Sequence, residues 1–261
     1  GNLWAFYLGR EALPGAVLVH SDEAHYSIPK SGRILNMETL AVKCSPDGAI
    51  SIEHLQELLR NLNGRPVVLA LTCGTTMKGA HDDIQGAITA MDAAGYDRER
   101  RFIHVDGALN AMVVPFAASA PPAIRPSFRM AIDSLSTSGH KMVGTPMPCG
   151  VLICRRRHVD HIAEAISYLR SNDTTLMGSR NGHAVLAIWD RVTRHGVSGF
   201  RADVAGCLSR TERMTAELRL MGAPVLRNPL SLTIVFPAPS EAIIGKYQLA
   251  AAKGRAHAIV M

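Results

Sequence analysis

Several things are missing from this chain of 261 residues, and each absence closes a class of function. It holds five cysteines, an odd number, and no Cys-x-x-Cys pair. Cys44, Cys73, Cys149, Cys154 and Cys207 are scattered among apolar neighbours, which reads as reduced thiols in a cytoplasm rather than a disulfide framework. The histidines show no His-Glu-x-x-His or similar spacing, so no metal site is expected. No apolar run approaches the length of a membrane span, and no basic-then-apolar leader opens the sequence. Aromatic residues make up only 5% of the chain. None of them interleaves with the one basic run, Arg155 to His158, as a base-stacking surface would require. Despite a net charge of +6, nucleic acid is not an expected partner, and the run reads as a solvated strand end entering a helix.

What is present is an ordinary globular composition, 47% hydrophobic and 19% charged, with material for a large core. Short apolar runs alternate with helical patterns. Strands are expected at 16–20, 66–72, 101–106, 133–138 and 149–155. The run "PVVLALT" has the continuous apolar character of a strand buried on both faces. A helix is expected over 51–62 with Ser51 as N-cap, and another over 82–95, closing on Gly95. This alternation predicts an α/β fold around a largely parallel sheet. Beyond about residue 190 the pattern changes to a long helix (198–222), a strand (231–236) and a short helix after Ser240. That reads as the start of a smaller α+β domain.

In open parallel sheets, ligands collect beyond the carboxyl ends of the strands. Four motifs fall at such ends: "SDEAHYS", "TCGTTMKGA", "HVDGA" and "STSGHK". Lys141, in the last, stands among small and polar residues with no charged neighbour. Asp106 ends a buried strand 35 positions earlier, room for a helix and one further strand. A carboxylate and a lysine converging at nearby strand ends suit pyridoxal phosphate: the lysine for the Schiff base, the aspartate for the ring nitrogen. His25 could stack on the ring, Ser138 and His140 could donate to a phosphate, and Thr76 could bring a hydroxyl near the ring. Plainer readings stand beside these. Asp106 could cap the following helix, and His25 could be a satisfied structural histidine.

Together, "HVDGAL", "DSLSTSGHKMVGTPMPCGV", "DTTLMGSRNGH" and "SLTIVFPAPSE" resemble the group II pyridoxal-phosphate-dependent amino-acid decarboxylases. Within the group the chain is most similar to bacterial histidine decarboxylases and the related plant-type serine decarboxylases. The resemblance implies the aspartate-aminotransferase fold, with a mixed, mostly parallel seven-stranded sheet in a large domain. It divides the chain into a cofactor-binding large domain, 1–190, and a partial small domain, 191–261. It implies Lys141 as the Schiff-base lysine and Asp106 as the pyridinium partner. His25 becomes the ring-stacking and substrate-contacting histidine, Ser138 and His140 cofactor anchors, and Thr76 a threonine near the ring. It further implies a homodimer with active sites at the subunit interface. The expected reaction is decarboxylation of an L-amino acid, L-histidine first and L-serine as the alternative. Only Gly1 and Asn2 match the end of the family's phosphate-binding Gly-rich loop. The expectation is therefore a family core lacking both ends, with a non-catalytic homologue as the competing reading.

Overall fold

The computed structural model describes residues 1–168 and 170–261. In chain order the elements begin with α1 (Asn2–Ala12), β1 (Val17–Ser21), α2 (Ser27–Ile34), β2 (Thr39–Val42), α3 (Ile52–Asn61) and β3 (Val67–Thr72). There follow α4 (Ile84–Ala93), β4 (Arg101–Asp106), β5 (Ser134–Ser138), β6 (Gly150–Cys154) and α5 (Arg156–His161). The chain ends with β7 (Glu164–Ile166), β8 (Ser171–Asp173), α6 (Gly182–Leu220), β9 (Thr233–Pro237), α7 (Glu241–Tyr247), β10 (Ala250–Ala252) and β11 (Arg255–Ile259).

The first six strands form one sheet in the order β2-β1-β3-β4-β5-β6. All neighbours run parallel except β6, which is antiparallel to β5. Every residue of β1, β3 and β4 is buried, because helices cover both faces of the sheet. The resemblance implied seven strands; among the described residues the sheet has six. β2 and β6 are its edges, each with one hydrogen-bonded neighbour. A second sheet, β10-β11-β9, is antiparallel, and β7 and β8 form a separate ribbon.

Local chemistry accounts for the elements. Ser51 caps α3 by accepting from the His54 N–H at 3.2 Å, and Asp83 caps α4 by accepting from Gly86 at 2.8 Å. α1 lies close on the sheet because of Gly9. A Cβ there would sit 2.9 Å from Val68 Cγ2 and 3.1 Å from the Phe102 ring. The long C-terminal helix starts at Gly182, well before the expected 198. It is broken at Gly196 (φ 63°, ψ −177°), so its second segment begins near the expected start. A division at residue 190 falls within the first segment.

The basic run is a solvated strand end only in part: Arg156 and Arg157 are exposed, whereas Arg155 and His158 are tied into the protein. Arg155 donates to the carbonyls of Phe128, Met130 and Ile132, at 2.7–3.0 Å. His158 is buried against Asp133 at 2.8 Å, and Arg157 pairs with the same carboxylate. Asp133 also accepts the Ile103 N–H at 2.9 Å. Two of the four side chains thus converge on one buried carboxylate, and Arg155 caps backbone carbonyls; the exposure of Arg156 and Arg157 and the turn into a helix match the expectation.

Candidate active site

Strand register builds the site. Thr72, Asp106 and Ser136 stand side by side at the carboxyl ends of β3, β4 and β5. Beyond them opens a cavity of about 450 Å³. Lys141, Asp106, His25, Ser138, His140 and Thr76 all line it. They come from five separate segments: the β1–α2 turn, the loop after β3, the end of β4, the end of β5 and the turn that follows β5.

Lys141 lies in a wide π-type turn, Gly139–Val143, where its backbone leaves helical geometry (φ −105°, ψ −117°). Thr145 N–H closes this turn on the Gly139 carbonyl at 2.8 Å. Among the described residues Lys141 has no ion-pair partner, whereas Lys78 is paired with Glu23 at 3.1 Å. His140 Nδ1 lies 3.0 Å from the Cys149 N–H and 3.1 Å from the Cys149 carbonyl, which holds the ring against the start of β6.

Asp106 is buried. Its Oδ1 accepts the Ala108 N–H at 3.1 Å, and its Oδ2 accepts Asn2 Nδ2 at 2.7 Å. Asp106 therefore caps no helix: the N–H it accepts lies in a turn, and the short helix that follows begins only at Asn110. Burial lowers the pKa of His25, with the Asp106 charge pulling it up and the Lys141 charge pushing it further down. His25 Nδ1 is 2.8 Å from Ser27 Oγ and 3.3 Å from the Ser27 N–H.

The loop between β3 and α4 is pinned from two sides. The buried Asp82 accepts the Ile50 and Thr72 N–H groups, each at 2.7 Å. Gly74 adopts φ +95°, and a Cβ there would lie 2.7 Å from Asn110 Cγ. Asn110 in turn contacts His81 Nε2 at 2.8 Å, and burial holds His81 down to about 4, so it stays neutral. Thr75 is spent inside this loop, accepting the Ala80 N–H at 3.0 Å. Thr76 is the exposed member, at the cavity wall.

Asn2, Ser27, His104 and Ser136 were not singled out from the sequence as site residues. Period-two spacing held the signal. His104 and Asp106 share one face of β4, and Ser134 and Ser136 share one face of β5.

A family model described as the pyridoxal-dependent decarboxylase conserved domain matches residues 11–229. The chain belongs to this family. It is 38% identical to a histidine decarboxylase of Vibrio campbellii over 262 residues, covering all of this chain and 67% of that protein. It is 39% identical to serine decarboxylase 1 of Oryza sativa subsp. japonica over 262 residues, covering all of this chain and 54% of that protein. The chain therefore spans about two thirds of the one relative and about half of the other. Among solved structures it is similar to an L-methionine decarboxylase from Streptomyces sp. 590, with a TM-score of 0.82 and 25% identity, covering 100% of this chain and 73% of that one. A sphingosine-1-phosphate lyase of Burkholderia pseudomallei shares the fold, with a TM-score of 0.83 at 16% identity, covering 100% of this chain and 64% of that one.

The residues fit the family's cofactor. Lys141 offers an amine with no carboxylate partner among the described residues. Each oxygen of Asp106 has one protein donor and room for another. The buried hydroxyls of Thr72 and Thr137, both on the cavity wall, have no partner among the described residues.

Proposed function

We propose that this chain holds pyridoxal phosphate in the cavity and decarboxylates an L-amino acid, with L-histidine as the first substrate. The observation that carries the reading is the convergence of Lys141, without an ion-pair partner among the described residues, and buried Asp106 on one cavity at adjacent strand ends. When bound, the cofactor supplies an electron sink for the carbon that loses carbon dioxide. Lys141 would hold it covalently through Nζ. Asp106 would accept the N–H of the pyridine ring and keep that nitrogen protonated. Ser138 and His140 would donate to the phosphate, Thr76 would add a hydroxyl at the ring, and His25 would cover one ring face and meet the substrate.

The serine reading stands as the alternative, because the identity to a serine decarboxylase, 39%, matches that to a histidine decarboxylase, 38%. We also propose that two copies associate. Val185, Leu186, Trp189 and Val192 form an exposed apolar stripe at helical spacing on α6.

The test is to incubate the chain with excess pyridoxal phosphate, reduce with borohydride and map the label by mass spectrometry. Wild type is expected to carry it on Lys141, and Lys141→Ala to fold normally without it. A label on Lys78 would overturn the assignment. Carbon dioxide release from L-histidine and L-serine, compared as kcat/KM, then decides the substrate.

A further inference from the structure

Asn2 is the meeting point of a hydrogen-bond network that the proposed chemistry does not itself require. Its Oδ1 lies 2.8 Å from Ser136 Oγ and 3.1 Å from His104 Nε2. Its Nδ2 lies 2.7 Å from Asp106 Oδ2 and 3.2 Å from Ser27 Oγ. The carboxylate settles which way the amide faces, since an amide oxygen 2.7 Å from a carboxylate oxygen would be repelled. With Oδ1 turned the other way, His104 Nε2 faces this acceptor at 3.1 Å and the Ser136 hydroxyl at 3.3 Å, and a proton on Nε2 satisfies the shorter contact. Its Nδ1 then accepts from Ser134 Oγ, 2.8 Å away. Burial keeps His104 neutral, with a pKa near 4, so it has one ring proton to place.

The same logic runs outward to His25. Asn2 Nδ2 can only donate, so Ser27 Oγ accepts from it. The Ser27 hydroxyl proton is then available to His25 Nδ1 at 2.8 Å. The Ser27 N–H, which can only donate, points at the same nitrogen at 3.3 Å. Two donors on Nδ1 leave it as the lone-pair atom.

We infer that Asn2 is a positioning residue that orients Asp106 and, through Ser27, fixes neutral His25 with its proton on Nε2. The inference rests on the reading of this cavity as a pyridoxal site. It makes His25 a hydrogen-bond donor at Nε2, and it makes the Asp106 carboxylate and the His25 ring move as one unit.

The test labels histidine with ¹⁵N and reads the ring nitrogens of the wild-type chain by long-range ¹H–¹⁵N correlation, with His25→Gln assigning the signals. The expected result is a protonated Nε2 and an unprotonated Nδ1 at His25. Ser27→Ala is expected to give a mixture of tautomers. Asn2→Leu keeps the bulk and loses both donors without placing a charge beside Asp106, so a role in packing alone would tolerate it. It is expected to disturb the His25 tautomer and to raise the pyridoxal phosphate dissociation constant roughly tenfold or more, the scale of one hydrogen bond to a charged group. A proton on Nδ1 in wild type overturns the inference, as does an unchanged His25 spectrum in both Ser27→Ala and Asn2→Leu. If the label forms on Lys141 while His25 fails these tests, only the inference falls. If His25 behaves as stated but no lysine takes the label, the pyridoxal reading falls.

Discussion

Asp106 has two oxygens and two protein donors, and its remaining lone pairs face a cavity. Asp106→Asn keeps a carbonyl oxygen for one of those donors, so the fold is expected to survive. A neutral amide cannot hold a ring nitrogen protonated, and kcat is expected to fall roughly a hundredfold or more, the scale of one preorganised electrostatic partner. Steady-state turnover beside a circular-dichroism melt checks both halves, and near-normal turnover would reduce Asp106 to a structural carboxylate. Behind Asp106, His104 carries a pH dependence. Burial sets its folded pKa near 4, against 6.5 for the unperturbed group. Between those values the unfolded chain binds the extra proton and the folded chain does not, so stability rises with pH across the window and is lost on acidification. Asp82 acts the other way in the same range, since burial raises its pKa to about 7. The measurement is therefore a difference. From pH 6.5 to 4, wild type is expected to lose more stability than His104→Gln, by about 1.4 kcal/mol per pH unit at most.

At the scale of elements, the segment from Thr72 to Asp82 is the most exacting part of the site. One buried carboxylate ties the end of β3 to the chain entering α3. Asp82→Ala would leave the Ile50 and Thr72 N–H groups buried and unpaired, at about 1–3 kcal/mol each. Urea denaturation should show a loss of about 2 kcal/mol or more, and a loss within a few tenths would mean that water replaces the carboxylate. Composition and period made the parallel core legible: "PVVLALT" and "RFIHVD" are β3 and β4 nearly to the residue. They were readable because a strand buried on both faces must be apolar almost throughout. α1, with Gly9 in its middle, gives a weak helical signal, and its closeness to Val68 and Phe102 is a tertiary fact that no window of sequence contains. The three-residue strands β7, β8 and β10 are too short to carry a period. Within the site, Lys141 and Asp106 stood out because each breaks its local pattern. Asn2 and Ser27 did not, because an asparagine and a serine near helix starts look like caps.

For the whole molecule, the proposed association of two copies through the exposed stripe on the first segment of α6 would set a concentration dependence. Trp189 is 64% exposed, and Val185, Leu186 and Val192 stand on the same face. Trp189→Glu is expected to shift the chain toward monomer in sedimentation velocity while leaving its melting profile nearly unchanged. Identical sedimentation of the two proteins at all concentrations would place any association elsewhere.

The network around Asn2 also has a history in time. It joins residues 102, 104 and 134 positions apart, with Ser27 in between. A ribosome adding about 5–20 residues per second needs on the order of ten seconds to go from Asn2 to Ser136. Until His104 and Asp106 are made the asparagine has none of its distant partners, and the last of them, Ser136, comes 30 positions later still. Long-range pairings are formed only after the entropy of closing the chain has been met. The centre of the site is consequently assembled after β1 and β3 can already pair, and a nascent chain halted before Ser136 can bury apolar strands while its polar centre stays open.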